Sequence, residues 1–270
     1  MNIQYFCPLW GNNLPFNEFC KNVRKAGYDG VEMDLPLNKR ERKEVLNVLQ
    51  GNGLLLIGQY WQSLETDFKK NKESFHRYLD NLIESNPVKL NCQTGKDYFS
   101  FEQNMQLVKL CRKLSEQSGL TICHETHRGK FLFSLPVMIQ AIKADPEIRI
   151  TFDASHWCNV HESLLEDQEP ALKKAIKATD HIHSRVGFQE GPQINDPRAT
   201  EWTGTVERFF SWWDQIVAIH NKNKTQLTVT AEFGPAPYMP LKPYSLKPLS
   251  KQWDVNLHMV RLFKERYPNN

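Results

Sequence analysis

The chain has 270 residues, of which 40% are hydrophobic and 24% are charged, and its formal net charge is +3. These values fit one large α/β domain. The small positive charge is not concentrated in Lys/Arg blocks, as a nucleic-acid partner would require, and no apolar run approaches the ~20 residues of a membrane span. We therefore predict a protein that binds neither nucleic acid nor membrane.

Strand patterns and helix patterns alternate along the whole chain. The predicted strands are Ile3–Cys7, Tyr28–Met33, Leu54–Gln59, Val88–Gln93, Leu120–Glu125, Ile150–Asp153, His181–Arg185 and Leu227–Glu232. The predicted helices that follow them are Pro15–Lys25, Lys39–Gln50, Thr66–Glu84, Phe101–Gln117, Ser134–Lys143, Leu164–Ala178, Val206–Asn221 and Lys251–Glu265. Eight strand–helix pairs predict a closed (β/α)8 TIM barrel, a single α/β domain spanning residues 1–270. An open doubly wound sheet is the alternative, but its glycine-rich dinucleotide turn is missing.

Two connections are long for a compact domain. Residues 187–205 follow the seventh predicted strand, and residues 233–250, with five prolines, follow the eighth. Loops after the last strands of a barrel commonly close over a substrate, so we expect both loops to lie over the mouth. A plain surface loop or a subunit interface is the alternative.

The start of the chain and the cysteines indicate a cytoplasmic protein. A strand pattern begins at once, without a basic segment and an apolar stretch, so we expect no signal peptide. The six cysteines form no CxxC pair and lie within apolar patterns. We therefore expect reduced thiols, neither disulfides nor a zinc site.

Four strands carry an acid or an imidazole at or near their ends: Glu125, Asp153, His183 and Glu232. Because all strand ends of a barrel point to one mouth, these side chains should converge. Three carboxylates and an imidazole in one place are costly unless a cation lies between them. We predict one divalent metal ion, with Mn²⁺ expected and Mg²⁺, Co²⁺ or Zn²⁺ as alternatives. His181, one layer deeper, is the alternative imidazole ligand; His183 is favoured because it is nearer the mouth.

This ordered set resembles the xylose isomerase-like TIM barrel superfamily, which contains sugar and sugar phosphate isomerases and epimerases, including ketose 3-epimerases. In that family a glutamate ends strand five, as Glu125 does here. An aspartate with a histidine three residues later ends strand six, as in Asp153-Ala-Ser-His156. A histidine ends strand seven and a glutamate ends strand eight, as do His183 and Glu232. The resemblance covers essentially the whole chain, and it implies a metal-dependent sugar isomerase or epimerase, often a homodimer or homotetramer.

The chain departs from the family where the substrate is held. The epimerases carry a substrate-binding arginine six residues after the strand-seven histidine, and this position is Gln189 here. Arg185 or Arg128 is then the alternative. Tryptophans at the ends of strands one and three could stack on the apolar face of a sugar. The predicted substrate contacts are His156, Arg185, Arg128, Trp10, Trp61 and Gln193.

The proposed chemistry is proton abstraction next to a carbonyl, through an enediolate. It needs a base for a weakly acidic C–H group and an electrophile for the oxygens, which a metal supplies. Glu125 and Glu232 are predicted to act as metal ligands and also as catalytic base and acid. The alternatives are a metal-dependent sugar-acid lyase or dehydratase, a phosphodiesterase like endonuclease IV, and a sugar-binding barrel without catalysis.

Overall fold

Eight parallel strands close into a barrel in which neighbours in the sheet are neighbours in the sequence. The computed structural model describes residues 3–268. The strands are β1 (Ile3–Pro8), β2 (Gly30–Met33), β3 (Leu55–Tyr60), β4 (Lys89–Cys92), β5 (Ile122–Glu125), β6 (Ile150–Phe152), β7 (Thr179–His183) and β8 (Leu227–Thr230). Pairing of β1 with β8, which sets Ile3 opposite Leu227, closes the sheet. The predicted single-domain TIM barrel is therefore confirmed.

The α-helices within residues 3–268 surround this barrel. They are α1 (Phe16–Lys25), α2 (Lys39–Gly51), α3 (Phe68–Ile83), α4 (Phe101–Ser118), α5 (Leu135–Ala144), α6 (Ala154–Val160), α7 (Glu169–Lys177), α8 (Thr203–Asn223) and α9 (Gln252–Arg266). Eight of them correspond to the predicted helices. The sequence analysis missed α6, because seven residues are too few to show helical periodicity.

Local sequence explains where helices begin and end. At the start of α4, the Ser100 hydroxyl accepts from the Gln103 amide while the Gln103 side chain accepts from the Ser100 amide, which is a capping box. The helix ends at Gly119, whose φ of 73° is a left-handed conformation that glycine adopts without strain.

The hydrophobic core lies between the strands and the helices, whereas much of the barrel interior is polar. Outward-facing residues such as Val31 and Leu90 join the large apolar cluster. Inside, Glu32 of β2 reaches across to His181 of β7, and the two are hydrogen-bonded at 3.1 Å. Barrels are usually filled by branched apolar side chains. A polar interior costs desolvation energy and therefore indicates that these groups have a task.

Two further features bear on the sequence predictions. All six cysteines are buried and free, so no disulfide is formed. No α-helix between residues 3 and 268 has both the length and the apolar character needed to cross a bilayer.

Candidate active site

The four predicted strand-end residues meet in one buried cluster. Glu125 is the last residue of β5, Asp153 follows β6, His183 ends β7 and Glu232 lies two residues beyond β8. One potential ligand atom from each residue lies within 4.8 Å of those of the other three. Glu232 has the most exposed side chain of the four, at 6%. The barrel thus gathers three carboxylates and an imidazole where solvent cannot screen them.

His183 presents one ring nitrogen to these acids. Its Nε2 lies 3.0 Å from the carboxylate of Glu32, so Nε2–H donates to that carboxylate. Its Nδ1 lies 2.9 Å from Glu232, 3.9 Å from Glu125 and 4.0 Å from Asp153. Despite the contact with Glu232, this buried Nδ1 has no assigned hydrogen bond to any residue within 3–268. An orphan nitrogen facing three carboxylates, with its opposite nitrogen held by a fourth, fits a metal ligand.

Glu32 lies behind His183 in this site, a role that the sequence analysis did not predict. Its carboxylate accepts from His183, His181, the Asn91 amide at 2.8 Å and the Thr230 hydroxyl. Burial opposes its ionisation, but His183 and His181 hold the pKa of Glu32 well below its usual range. Glu32 is therefore an anion that fixes the orientation of His183.

His181 sits deeper and is already paired on both sides. Its Nδ1 lies 2.8 Å from the Thr228 hydroxyl and its Nε2 lies 3.1 Å from Glu32. Potential ligand atoms of Glu32, His181 and His183 are also mutually close enough for an ion. Both ring nitrogens of His181 already have hydrogen-bond partners, whereas Nδ1 of His183 has none among the described residues. The geometry therefore favours His183 over His181 as the ligand.

Burial and mutual repulsion make the acids reluctant to ionise together. Burial, with Glu232 and Asp153, raises the pKa of Glu125 to about 8 against the opposing effect of His183. Burial also raises the pKa of Asp153, although Arg185 opposes the change. A divalent cation would remove this repulsion, because it favours the ionised form of each carboxylate.

Arg185 is buried and holds the outer side of the cluster. Its guanidinium forms an ion pair with Asp153 and lies 3.5 Å from Glu232. It also donates to Nε2 of His156 at 2.7 Å. Since arginine only donates, Nε2 of His156 accepts and Nδ1 carries the proton. That Nδ1–H is buried and has no partner in the part of the chain that the structure describes, which leaves it as a donor for a ligand oxygen.

A cavity of about 440 Å³ opens onto the cluster. Its lining includes Trp10, Trp61, Arg185, Glu232 and Tyr238. The two tryptophans are 38% and 44% exposed. Both lie where the sequence analysis expected sugar-stacking surfaces, and their role as such stays a prediction.

Tyr238 lies between the two predicted substrate arginines. The guanidinium carbons of Arg185 and Arg128 lie 4.9 and 5.2 Å from the centre of its ring. Arg128 also donates to Asn159 at 3.1 Å. Tyr238 belongs to the proline-rich loop after β8 and was missed, because no periodic pattern marks a side chain within such a loop.

Gln193 joins the two long loops. Its amide nitrogen donates to the Gly234 carbonyl at 3.2 Å, and its oxygen accepts from the Gly234 amide at 2.7 Å. A side chain at Gly234 would collide with the Trp10 ring. Both polar groups of Gln193 thus hold main chain, and the predicted contact with substrate is untested.

The (β/α)8 barrel fold is the one that the resemblance implied. No family model matches the chain, and no curated protein matches it. Solved structures do. The 3-keto-D-glucoside 4-epimerase of E. coli superposes with a TM-score of 0.62 at 14% identity, covering 98% of this chain and 100% of that chain. A xylose isomerase-like TIM barrel protein from Mycobacterium smegmatis, in complex with magnesium, superposes with a TM-score of 0.62 at 13% identity, covering 94% of this chain and 90% of that chain.

A D-tagatose 3-epimerase-like protein also gives a TM-score of 0.62, at 9% identity, with 97% of this chain and 99% of that chain covered. Structures of a probable dehydratase and of an endonuclease IV are similar as well. Because one fold hosts several reactions, these similarities establish the architecture, and the reaction has to be argued from the residues at the mouth.

Proposed function

We propose that this protein is a divalent-metal-dependent sugar isomerase or epimerase that transfers a proton next to a carbonyl group. The observation that carries the proposal is the orphan Nδ1 of His183, which faces three buried carboxylates while Glu32 holds Nε2. Glu125, Asp153, His183 and Glu232 would hold the cation. When bound, the cation supplies an electrophile that stabilises the developing enediolate charge; Mn²⁺ is our first choice among oxygen-preferring ions.

The proton-transfer roles fall to Glu125 and Glu232. They extend from the ends of β5 and β8, which β6 and β7 separate in the barrel. Glu232 lines the cavity directly and accepts a hydrogen bond of 3.4 Å from Gln59. Glu125 accepts from Asn91 at 3.1 Å. Two carboxylates on separate sides of a sugar can remove a proton from one position and return one to another position or face.

Other residues orient the substrate in this proposal. The unpartnered Nδ1–H of His156 and the guanidinium of Arg185 are donors for the sugar oxygens, which lowers the cost of charge on oxygen during proton removal. Trp10 and Trp61 offer ring faces to the apolar side of the sugar. The loop residue Tyr238 covers Arg185 and limits the access of water to the acids.

The test compares wild type with Glu232→Gln, which keeps the size of the side chain but removes its charge. Metal content is measured by elemental analysis after loading with Mn²⁺, and exchange of substrate C–H protons with heavy water is followed by NMR across a panel of aldoses and ketoses. We expect about one divalent ion per wild-type chain and exchange at C2 or C3. The variant should lose most of the metal and the exchange.

Glu73→Gln is the matched control, because Glu73 is exposed on α3. It should behave as wild type. A wild-type protein that holds no divalent ion under any loading condition would contradict the proposal, and so would metal binding without proton exchange on any sugar.

A further inference from the structure

A second cavity, the outer groove, lies beside the active-site cavity that opens onto the acids. Its volume is about 940 Å³, against about 440 Å³ for the active-site cavity. The loop after β1, helix α1, the proline-rich loop after β8 and the start of α9 form its walls. Ligand sites commonly have roughly 300–1,000 Å³, so the outer groove is large enough to bind a chemical group of its own.

The two cavities share a wall. Trp10 lines both of them, and of two consecutive residues, Tyr238 lines the active-site cavity and Met239 lines the outer groove. The rings of Trp10 and Tyr238 meet edge to face, with their centres 5.1 Å apart. Trp10 is 38% exposed, so the wall is open to solvent at this residue. One ligand can therefore extend over Trp10 and occupy both cavities.

Exposed leucines line the outer groove. Leu14, from the loop before α1, is 43% exposed, and Leu241 and Leu246, from the proline-rich loop, are 37% and 69% exposed. Exposed apolar side chains that are gathered around one concave surface are typical of a binding site. An apolar group in the groove would remove these leucines from water, which stabilises the complex.

The polar side chains of the groove offer little to a ligand. Three of the five amides in its lining are bonded to main chain: Asn12 bonds to the backbone two residues further on, Gln252 donates to a carbonyl at 2.8 Å, and Asn256 uses both of its polar atoms. The charged residues of the described lining are the exposed Lys25 and Lys251. The groove therefore suits an uncharged apolar group better than a second sugar ring.

We propose that the substrate is a sugar that carries an apolar substituent, with the sugar in the active-site cavity and the substituent in the outer groove. This inference rests on the proposed function. The substituent is an uncharged alkyl or aryl group, joined to the sugar through an oxygen atom as a glycoside or an ether. Trp10 lies at the junction, where it contacts both parts of the ligand.

The first experiment measures whether affinity depends on the apolar group. Calorimetry in the presence of Mn²⁺ compares the binding of methyl, butyl and hexyl β-D-glucosides to wild type. A fully buried methylene raises affinity about fourfold, and part of the chain stays in water, so we expect at least a tenfold gain from methyl to butyl and a further gain to hexyl. Equal affinity for the three glucosides, or no binding of any, would overturn the inference.

Two variants place a charge in the groove, and a third is their control. Leu14→Glu and Leu246→Glu should each reduce the preference for butyl over methyl at least threefold. Leu64→Glu should keep it, because Leu64 is 68% exposed, close to the 69% of Leu246, but lines neither cavity. All three positions are exposed, so the variants should fold. The same change in all three variants, or in none, would contradict the proposal.

A second copy of the chain is the rival occupant of the groove. Analytical ultracentrifugation of wild type and Leu246→Glu tests it without any ligand. We expect the same oligomeric state for both proteins. If wild type associates and Leu246→Glu does not, the groove belongs to a subunit interface and the inference is wrong.

The second experiment measures substrate choice. The ketose that exchanges protons fastest in the sugar panel is compared with its butyl ethers at either terminal carbon, which leave the carbonyl free. We expect kcat/KM for proton exchange to be at least tenfold higher for one ether than for the parent ketose. Leu246→Glu should reduce this advantage at least threefold, and Leu64→Glu should not.

The outcomes keep the two proposals apart. Exchange on the parent ketose with no gain from either ether would overturn the role of the groove and leave the proposed isomerase in place. If no sugar exchanges protons, the proposed function fails, and the calorimetry alone decides whether the groove binds apolar groups.

Discussion

The deep layer of the barrel interior and the mouth above it use the same kinds of side chain, but they pair them differently. In the deep layer, His181 uses both ring nitrogens, on Glu32 and on Thr228. Lys89 donates to a main-chain carbonyl and to the same Thr228. These polar groups hold β2, β4, β7 and β8 together across the barrel, so their role is structural.

At the mouth, comparable groups are left without hydrogen bonds to the described residues. Nδ1 of His183 and Nδ1 of His156 are buried and make no hydrogen bond with any described residue. Lys130, on the loop after β5, is 9% exposed, and its side chain forms no hydrogen bond and no ion pair with those residues. Because leaving a buried polar group without a hydrogen bond costs about 1–3 kcal/mol, the two histidine nitrogens at one mouth indicate that ligands supply the missing partners. The polar groups that build the barrel thus have hydrogen-bond partners within the protein, whereas those proposed to bind ligands do not.

The largest effect is expected from Glu125→Gln at the mouth. This change removes a proposed proton-transfer group, so proton exchange should fall by about 10²–10⁴-fold. Since it also removes a carboxylate from a repulsive cluster, the thermal midpoint of the metal-free protein should stay the same or rise. Exchange by NMR and thermal melting in a chelator check both expectations. A clear loss of stability with full activity would assign Glu125 to the structural group.

The next effect concerns Glu32, which links the two regions. In Glu32→Gln, Nε2 of His183 loses its anionic acceptor, and affinity for Mn²⁺ should fall about 10–100-fold, as is usual when the carboxylate behind a ligating histidine is removed. Titration against a competing chelator measures the affinity directly, without using activity. Glu73→Gln serves as the control, and equal affinity in both variants would remove Glu32 from the metal site.

Lys89→Met should destabilise the barrel without affecting the mouth. The change leaves the Asp180 carbonyl and the Thr228 hydroxyl with one donor fewer, and we expect a loss of about 1–3 kcal/mol in unfolding free energy. Urea denaturation measures this loss. If the variant is as stable as wild type, the hydrogen bonds of Lys89 do not stabilise the barrel, and the structural role given to the deep layer is wrong.

Lys130→Met should raise the stability of the protein, which is the opposite of the effect expected for Lys89→Met. The change should also be the smallest of those predicted. Burial and Lys96 lower the pKa of Lys130 from 10.5 to about 8, although Glu125 and Asp97 oppose the shift. Between these two pH values the unfolded chain binds more protons than the folded one, so wild-type stability rises with pH across this window. The penalty of the buried charge is therefore present in full below pH 8.

We accordingly expect the thermal midpoint of Lys130→Met to exceed that of wild type by about 2–4 °C at pH 7. The difference should shrink as the pH rises from 8 towards 10.5. Lys109→Met, a control at an exposed position on α4, should show no such pH dependence. A lower midpoint at pH 7 would mean that Lys130 has a stabilising partner.

The candidate site illustrates what a sequence pattern can predict. Strand alternation and chain order were enough to place Glu125, Asp153, His183 and Glu232 at one mouth, because every strand of a barrel points its end the same way. The helix α6 escaped detection, although Asp153 caps it by accepting from the Ser155 amide at 3.0 Å. A seven-residue helix has too few turns to show an apolar stripe.

Local sequence patterns could not predict which residues far apart in the sequence contact one another. Glu32 is 151 residues from His183, and no local signal distinguishes a glutamate that holds a histidine from one that contacts a sugar. Tyr238 reaches the arginines from a loop without periodicity. The contrast between Lys89 and Lys130 is likewise invisible in the sequence, where both follow strand or loop residues without any distinctive spacing.

The sequence by itself therefore determined the architecture of this protein and the identity of its strand-end acids, because secondary structure and side-chain direction depend on the local pattern of apolar and polar residues. Only the tertiary structure decided which of the buried groups are satisfied. Hydrogen bonds across a closed barrel depend on which side chains meet in its interior, and that meeting depends on the register of all eight strands together.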